Sequence, residues 1–279
     1  MSSGSDSRPL FERLAPYRLP SVHSNFAYRV PLNGRWVFLK IYGPKTPRLK
    51  YEFRRFLGRI GMRQPVEYRT PMARKAFEEE TLRRWKAKGF PVPDVLDTPY
   101  PEWSALPHLT TTFIEGVTLR ERLSGGRLSP EDKGRLLFLL FEEVNRRHEE
   151  ALAVNDRLLF HVDANTRNIL CADDGMIYHV DFEMGRPWEP AIACAAREIT
   201  KLLTTAAEDM PLTEQKDLYH AFQRAYRHED VRRFIGKSVY GRPFQGLHRW
   251  MDRRKKGKNP RVVTLYDILD RLPPDVISL

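Results

Sequence analysis

Asn33-Gly34 stands between two short apolar runs rich in aromatic and β-branched residues, Phe26–Leu32 and Arg35–Tyr42. Such a pair predicts a tight antiparallel hairpin, because both residues tolerate the positive φ that a two-residue turn requires. The beginning of the chain is therefore committed to a sheet. A further strand is expected over Thr110–Ile114, ending at Glu115-Gly116. Helical signals take over afterwards. Ser129-Pro130-Glu131-Asp132 has an N-cap, a first-turn proline and acids near the positive helix end, and opens a helix expected to reach about Glu150. Residues 191 to about 233 read as largely helical. Strands early and helices late predict an α+β fold with two lobes rather than alternating βαβ units.

Between these anchors the pattern is mixed. A helix is expected over Arg74–Lys88, with Glu78, Leu82 and Trp85 on one face and Gly89 as its stop. A shorter helix is expected around Tyr51–Ile60. Phe90–Asp94 is an extended, proline-rich connector. Short strands are expected at Leu158–His161, Ile169–Cys171 and Met176–Val180, and a basic, solvated tail follows Gly236.

Lys and Arg number 47 against 36 Asp and Glu, so the chain carries a formal charge of +11 and favours anionic partners. Two cysteines, Cys171 and Cys194, cannot supply a disulfide framework, which suits a reducing compartment. The N-terminus is polar and Ser-rich, without the apolar centre of a signal peptide. The most apolar short run, Leu136–Phe141, is too brief to span a bilayer. The expectation is a cytoplasmic protein without a transmembrane segment, at most peripheral to the inner face of the membrane.

The chemistry concentrates in His161-Val-Asp163-Ala-Asn165-Thr-Arg-Asn168, followed by an apolar strand and Asp181-Phe182-Glu183. This arrangement resembles the catalytic loop and metal-binding segment of protein-kinase-like enzymes. The resemblance implies ATP and Mg2+ as cofactors. It makes Asp163 the group that orients the acceptor hydroxyl and accepts its proton, and Asn168 and Asp181 the magnesium ligands. His161 would brace the loop. Upstream, Lys40 in Trp36–Tyr42 is similar to the lysine that holds the nucleotide phosphates, and it needs an acid to hold it. Glu78, Glu79 and Glu80 are the candidates, and Glu78 is chosen because it shares a face with Leu82 and Trp85. All three acids would also suit a helix start.

The resemblance continues through Gly89-Phe-Pro-Val-Pro93 and through Thr112–Leu119, which looks like the hinge where Glu115 and its neighbours would meet adenine. It spans roughly residues 26 to 205 and is nearest to small atypical kinases. These include the lipopolysaccharide-core kinases acting on Kdo or heptose, the RIO kinases and the kinase of the tRNA threonylcarbamoylation complex. The chain departs from the pattern in several places. No glycine-rich phosphate loop is visible, and Ser21–Asn25, with Ser24 as a candidate phosphate contact, occupies its place. Glu183 stands where Gly is usual, as in aminoglycoside and choline kinase relatives, and Asn165 where many protein kinases carry Lys. The stretch after Asp181 is too short for a long activation loop.

The expected organisation is a flexible leader (1–20), a nucleotide-binding N-lobe (21–115) and a helical C-lobe (116–279). The expected activity is transfer of the γ-phosphoryl of ATP to a hydroxyl. The acceptor would be anionic, a lipopolysaccharide-core sugar at the inner membrane surface, met by the basic insert (Arg48 to Arg69) or the run Arg253–Lys258. A kinase tied to tRNA modification, a small-alcohol kinase and a nucleotide-binding pseudokinase remain open alternatives. Nucleic acid is a less favoured partner.

Overall fold

The computed structural model describes residues 9–20, 25–43, 70–97, 106–185 and 189–240, with scattered positions between 246 and 270. The chain divides into two compact units. One comprises Met1–Lys88 with Val92–Ile114, the other Gly89–Pro91 with Glu115–Leu279.

The first unit is built on a four-stranded sheet. Strand β1 (Phe26–Leu32) pairs antiparallel with β2 (Arg35–Ile41), and the register closes at Leu32 opposite Arg35. The two turn residues, Asn33 (φ 50°) and Gly34 (φ 77°), both lie in the left-handed region, as the hairpin requires. Further along the chain come β3 (Val95–Leu96) and β4 (His108–Thr112), giving the order β1-β2-β4-β3. Alternation sends Tyr28, Val30, Leu32, Val37, Leu39 and Ile41 to one face, where they form a core with Leu14 of the short helix α1 (Leu10–Leu14). Lys40 stands on the opposite face.

Helix α2 (Pro71–Ala87) starts three residues before the expected Arg74. Thr70 accepts the backbone N–H of Ala73, and Pro71 occupies the first turn, where its missing N–H costs nothing. Leu82 and Trp85 are buried, and Gly89, at φ 75°, follows the helix end. The strand expected at Thr110–Ile114 lies two residues earlier. The helix expected at Tyr51–Ile60 and the basic insert fall outside the described residues.

The second unit has a small antiparallel sheet, β5 (Gly116–Thr118), β6 (Ile169–Ala172) and β7 (Ile177–His179), in that order. Its helices are α3 (Leu119–Ser124), α4 (Pro130–Ala153), α5 (Ala191–Asp209), α6 (Gln215–Ala225) and α7 (Glu229–Tyr240). Ser129 caps α4 through Asp132 N–H, and the helix runs slightly past Glu150. Helix α4 packs along α6, with Phe141 and Phe222 edge to face at 5.3 Å.

Two expectations are corrected here. Leu158–His161 is not a strand. Arg157–Leu159 forms one 3-10 turn, because the Asp156 carboxylate captures the Leu158 N–H at 3.1 Å and bends the backbone. The chain also remains helical beyond Gly236, since α7 continues to Tyr240. Among the described residues, no helix is long and apolar enough to cross a membrane.

Candidate active site

Lys40 lies in the middle of the first unit's sheet, opposite Ala27 on β1 and Leu109 on β4. Its ammonium donates to Glu78 Oε2 at 2.8 Å, and the Tyr42 hydroxyl donates to the same oxygen at 2.7 Å. Tyr42 is two residues beyond Lys40, so the strand's alternation presents both side chains on one face. The Lys40 and Glu78 side chains are only 8% and 6% exposed, so this ion pair is buried rather than a solvated surface contact. Glu79 is committed elsewhere on α2, to Lys75 and to Arg83 at 2.9 Å, and Glu80 is exposed. One turn before Glu78, Arg74 donates to Gly43 O at 2.8 Å and to the Asn25 side chain. Ser24 lies outside the described residues.

In the second unit Asp163, Asn165 and Asn168 gather at the mouth of the β6–β7 pair. The register sets Ile169 opposite His179, so Asn168 adjoins Val180, whose N–H donates to Asn168 O at 3.0 Å. The Asn168 amide nitrogen donates to Asp163 O at 3.0 Å and to Asp163 Oδ2 at 3.3 Å. The amide oxygen is therefore turned away from Asp163. An amide oxygen and a carboxylate such as that of Asp181 are donors of the hard type that magnesium prefers. Asp181 follows Val180 directly and has a left-handed backbone, φ 67°, which Asp tolerates better than most residues. Asn165 is spent within the loop. Its amide nitrogen donates to Asp163 O at 3.2 Å, and its oxygen accepts the Arg167 N–H at 2.9 Å.

His161 connects the two segments. Its Nε2–H donates to Val180 O at 2.9 Å, and its ring lies 4.5 Å from that of Phe182. Burial and the nearby His179 push its pKa down to about 4, so it is neutral at physiological pH. A neutral, buried imidazole with this hydrogen bond serves as a brace between the loop and the Asp181 segment.

Beneath the loop sits a buried network that the sequence reading did not identify. Glu198 of α5 accepts the His161 backbone N–H at 2.8 Å, His148 Nε2–H at 3.0 Å and both terminal nitrogens of Arg147. Burial alone would raise the Glu198 pKa, but Arg147 and His148 hold it well below the usual carboxylate range. Burial lowers the pKa of His148, whose Nδ1 accepts the Tyr226 hydroxyl. The contact from His148 to Glu198 is thus a hydrogen bond from a neutral ring, and Arg147 supplies the balancing charge. Arg147 also donates to Leu159 O and to Glu143, and Glu143 accepts from His179 Nε2 at 2.9 Å. Burial would raise Glu143 as well, yet Arg147 and His179 hold it at about 2. Nothing local in the sequence signals this network, because Arg147-His148 lies in the charged stretch Glu142–Glu150 of α4.

A row on α5 holds the loop from the side. Thr205 accepts the Thr166 N–H at 3.3 Å, and Asp209 accepts the Thr166 hydroxyl. Lys201, one turn earlier on the same face, places its ammonium 4.0 Å from Asp163 Oδ1. Glu115 begins the longer segment of the second unit. Its side chain is exposed and its carbonyl accepts the Asp173 N–H at 3.1 Å. The adjacent Gly116 has φ 154°, and a Cβ there would fall 2.4 Å from Cys171 O, so only glycine permits this strand pairing. Within the units, then, Lys40 meets Glu78, Asn168 ties Asp163 to the strand that leads into Asp181, and His161 donates to the carbonyl just before Asp181.

No protein-family profile matches the chain, and no curated protein matches it. Among solved structures the chain is similar to WaaP in complex with acyl carrier protein, at 15% identity over 90% of this chain and 93% of that one, with a TM-score of 0.46. It is also similar to the Mycobacterium tuberculosis PknI kinase domain, at 16% identity over 70% and 71% of the two chains, with a TM-score of 0.40. A cysteine-to-alanine mutant of that domain gives 18% identity over 70% and 73%, again with a TM-score of 0.40. The α+β class expected from the sequence is the class observed, and the solved folds to which it is similar include kinase domains.

Proposed function

We propose that the chain is an ATP- and magnesium-dependent phosphotransferase acting on the hydroxyl of an anionic acceptor. The observation that carries this reading is the Asn168 bridge. Its side chain donates to Asp163 while its backbone pairs with Val180, the residue before Asp181, so one residue joins the Asp163 loop to the Asp181 segment.

In the proposed reaction Asp163 accepts the proton of the acceptor hydroxyl as its oxygen bonds to the γ-phosphorus of ATP. The bond from that phosphorus to the β-bridging oxygen breaks, and ADP leaves with the electron pair. Asn168 and Asp181 would hold magnesium, which would neutralise charge on the phosphate oxygens. Lys40 grips the phosphates and is itself positioned by Glu78 and Tyr42. Backbone groups around Glu115 would meet adenine, and His161 keeps the loop and the Asp181 segment in register.

The formal charge of +11 favours an anionic acceptor, and the likeness of the catalytic loop to lipopolysaccharide-core kinases nominates a phosphorylated or acidic core sugar. The test is magnesium-dependent ATP turnover in the wild type beside Asp163→Ala, Asp181→Asn and Lys40→Ala. Each variant is expected to lose about a hundredfold or more in kcat. Full activity of Asp163→Ala would refute the assignment. Labelled ATP incubated with fractionated bacterial extract then identifies the acceptor. Label is expected in the lipopolysaccharide fraction, and its appearance in RNA or protein instead would reject the core-sugar assignment.

A further inference from the structure

We infer that Lys201 is a catalytic cation that meets the charge developing on the transferring phosphoryl group. The inference rests on the phosphotransfer reading and adds a residue that the loop sequence does not contain. Asn165, two residues after Asp163, is uncharged and spends its amide on Asp163 O and the Arg167 N–H. The loop therefore brings no ammonium of its own to that side of Asp163. Among the described residues, the cation in ion-pair range of the Asp163 carboxylate is Lys201, at 4.0 Å, and it comes from α5.

The two oxygens of Asp163 have different neighbours. Oδ2 takes the Asn168 amide at 3.3 Å, whereas Oδ1 faces Lys201. An acceptor hydroxyl giving its proton to Oδ1 would sit within hydrogen-bond reach of that oxygen, about 3 Å away. The attacked phosphorus would lie a further ~3 Å on, which is the separation of a near-attack geometry. Lys201 Nζ stands 4.0 Å from the same oxygen.

The ammonium is also uncommitted in energetic terms. At 4.0 Å it makes no full hydrogen bond to Asp163, and the two side chains are 45% and 35% exposed. Turning from Asp163 toward a phosphoryl oxygen therefore forfeits little. The helix beneath it is fixed, because Thr205 and Asp209 on the same face both hold Thr166 of the loop. In the transfer step the equatorial oxygens gain negative charge as the bond to ADP breaks. A preplaced ammonium stabilises that charge without being consumed.

The experiment uses the full chain with MgATP, water serving as acceptor, so that no acceptor need be known. Lys201→Ala should lower kcat about a hundredfold. The dissociation constant for ATP should change less than twofold, and Lys201→Arg should recover most of the lost rate. The exposed position should leave the thermal midpoint of each variant unchanged. A wild-type kcat in Lys201→Ala, with Asp181→Asn inactive, overturns the inference while leaving phosphotransfer intact. A raised KM for ATP at unchanged kcat overturns it too, because it assigns Lys201 to binding alone. A wild type with no magnesium-dependent turnover removes both readings together.

Discussion

Glu78 is held in a nearly dry site by one ammonium and one hydroxyl, and this makes Lys40 structurally consequential. Removing Lys40 strands a buried carboxylate beside Tyr42. Lys40→Met is expected to destabilise the chain by about 3 kcal/mol, mostly through the unbalanced charge rather than lost attraction. Lys40→Met/Glu78→Leu removes both charges and should recover all but about 1 kcal/mol. Neither variant should turn over ATP. Urea denaturation of the single and double variants measures the difference. Equal stability of the two would show that Glu78 is not stranded by loss of Lys40.

At the scale of elements, the β5–β6 pairing depends on the missing side chain at Gly116. Gly116→Ala would push a methyl group into the Cys171 carbonyl and should cost about 2 kcal/mol or more. Gly126→Ala is the control. Gly126 is exposed with nothing within 4 Å of an added Cβ, and the change should stay within about 0.5 kcal/mol. Thermal denaturation of both variants checks this. Elements announced by local chemistry were legible in the sequence. The Asn33-Gly34 hairpin and the Ser129-Pro130 helix start carry their instructions within a few residues. The start of α2 was misjudged because Met72 and Ala73 are exposed and show no apolar period, although Thr70-Pro71 marked the end. Leu158–His161 looked like a strand because its apolar side chains are visible in sequence, whereas the backbone capture by Asp156 is not. Arg147 and Glu198, 51 residues apart, would each pass for solvent-facing helix residues. Their burial follows from packing between helices, which no local pattern encodes. Lys201 escaped notice for the same reason, since its nearness to Asp163 is a property of how α5 lies along the loop.

For the molecule in solution, the buried histidines of the second unit make acid the condition that most threatens it. The pKa of His161 falls from 6.5 to about 4 on folding, chiefly through burial, so the unfolded chain binds its proton first. Stability is full above pH 6.5 and declines as pH falls toward 4, by about 3 kcal/mol from this group. His148 adds to the loss in the same direction. Glu143 contributes above its ordinary value of 4.5 and loses that contribution as pH falls to about 2. Cys171 and Cys194, both buried in this unit, offer the readout. A thiol reagent active in acid should react slowly at pH 7 and progressively faster from pH 6 to 4. A labelling rate independent of pH across that interval would contradict this account. The left-handed backbone at Asp181 bears on how such a protein can drift over generations. Asparagine tolerates that conformation about as readily as aspartate, whereas a β-branched side chain would strain the turn. One nucleotide change thus leads from the carboxylate proposed to bind magnesium to a neutral amide with the surrounding structure left standing. Descendants that retain the architecture and abandon chemistry are a short mutational step away.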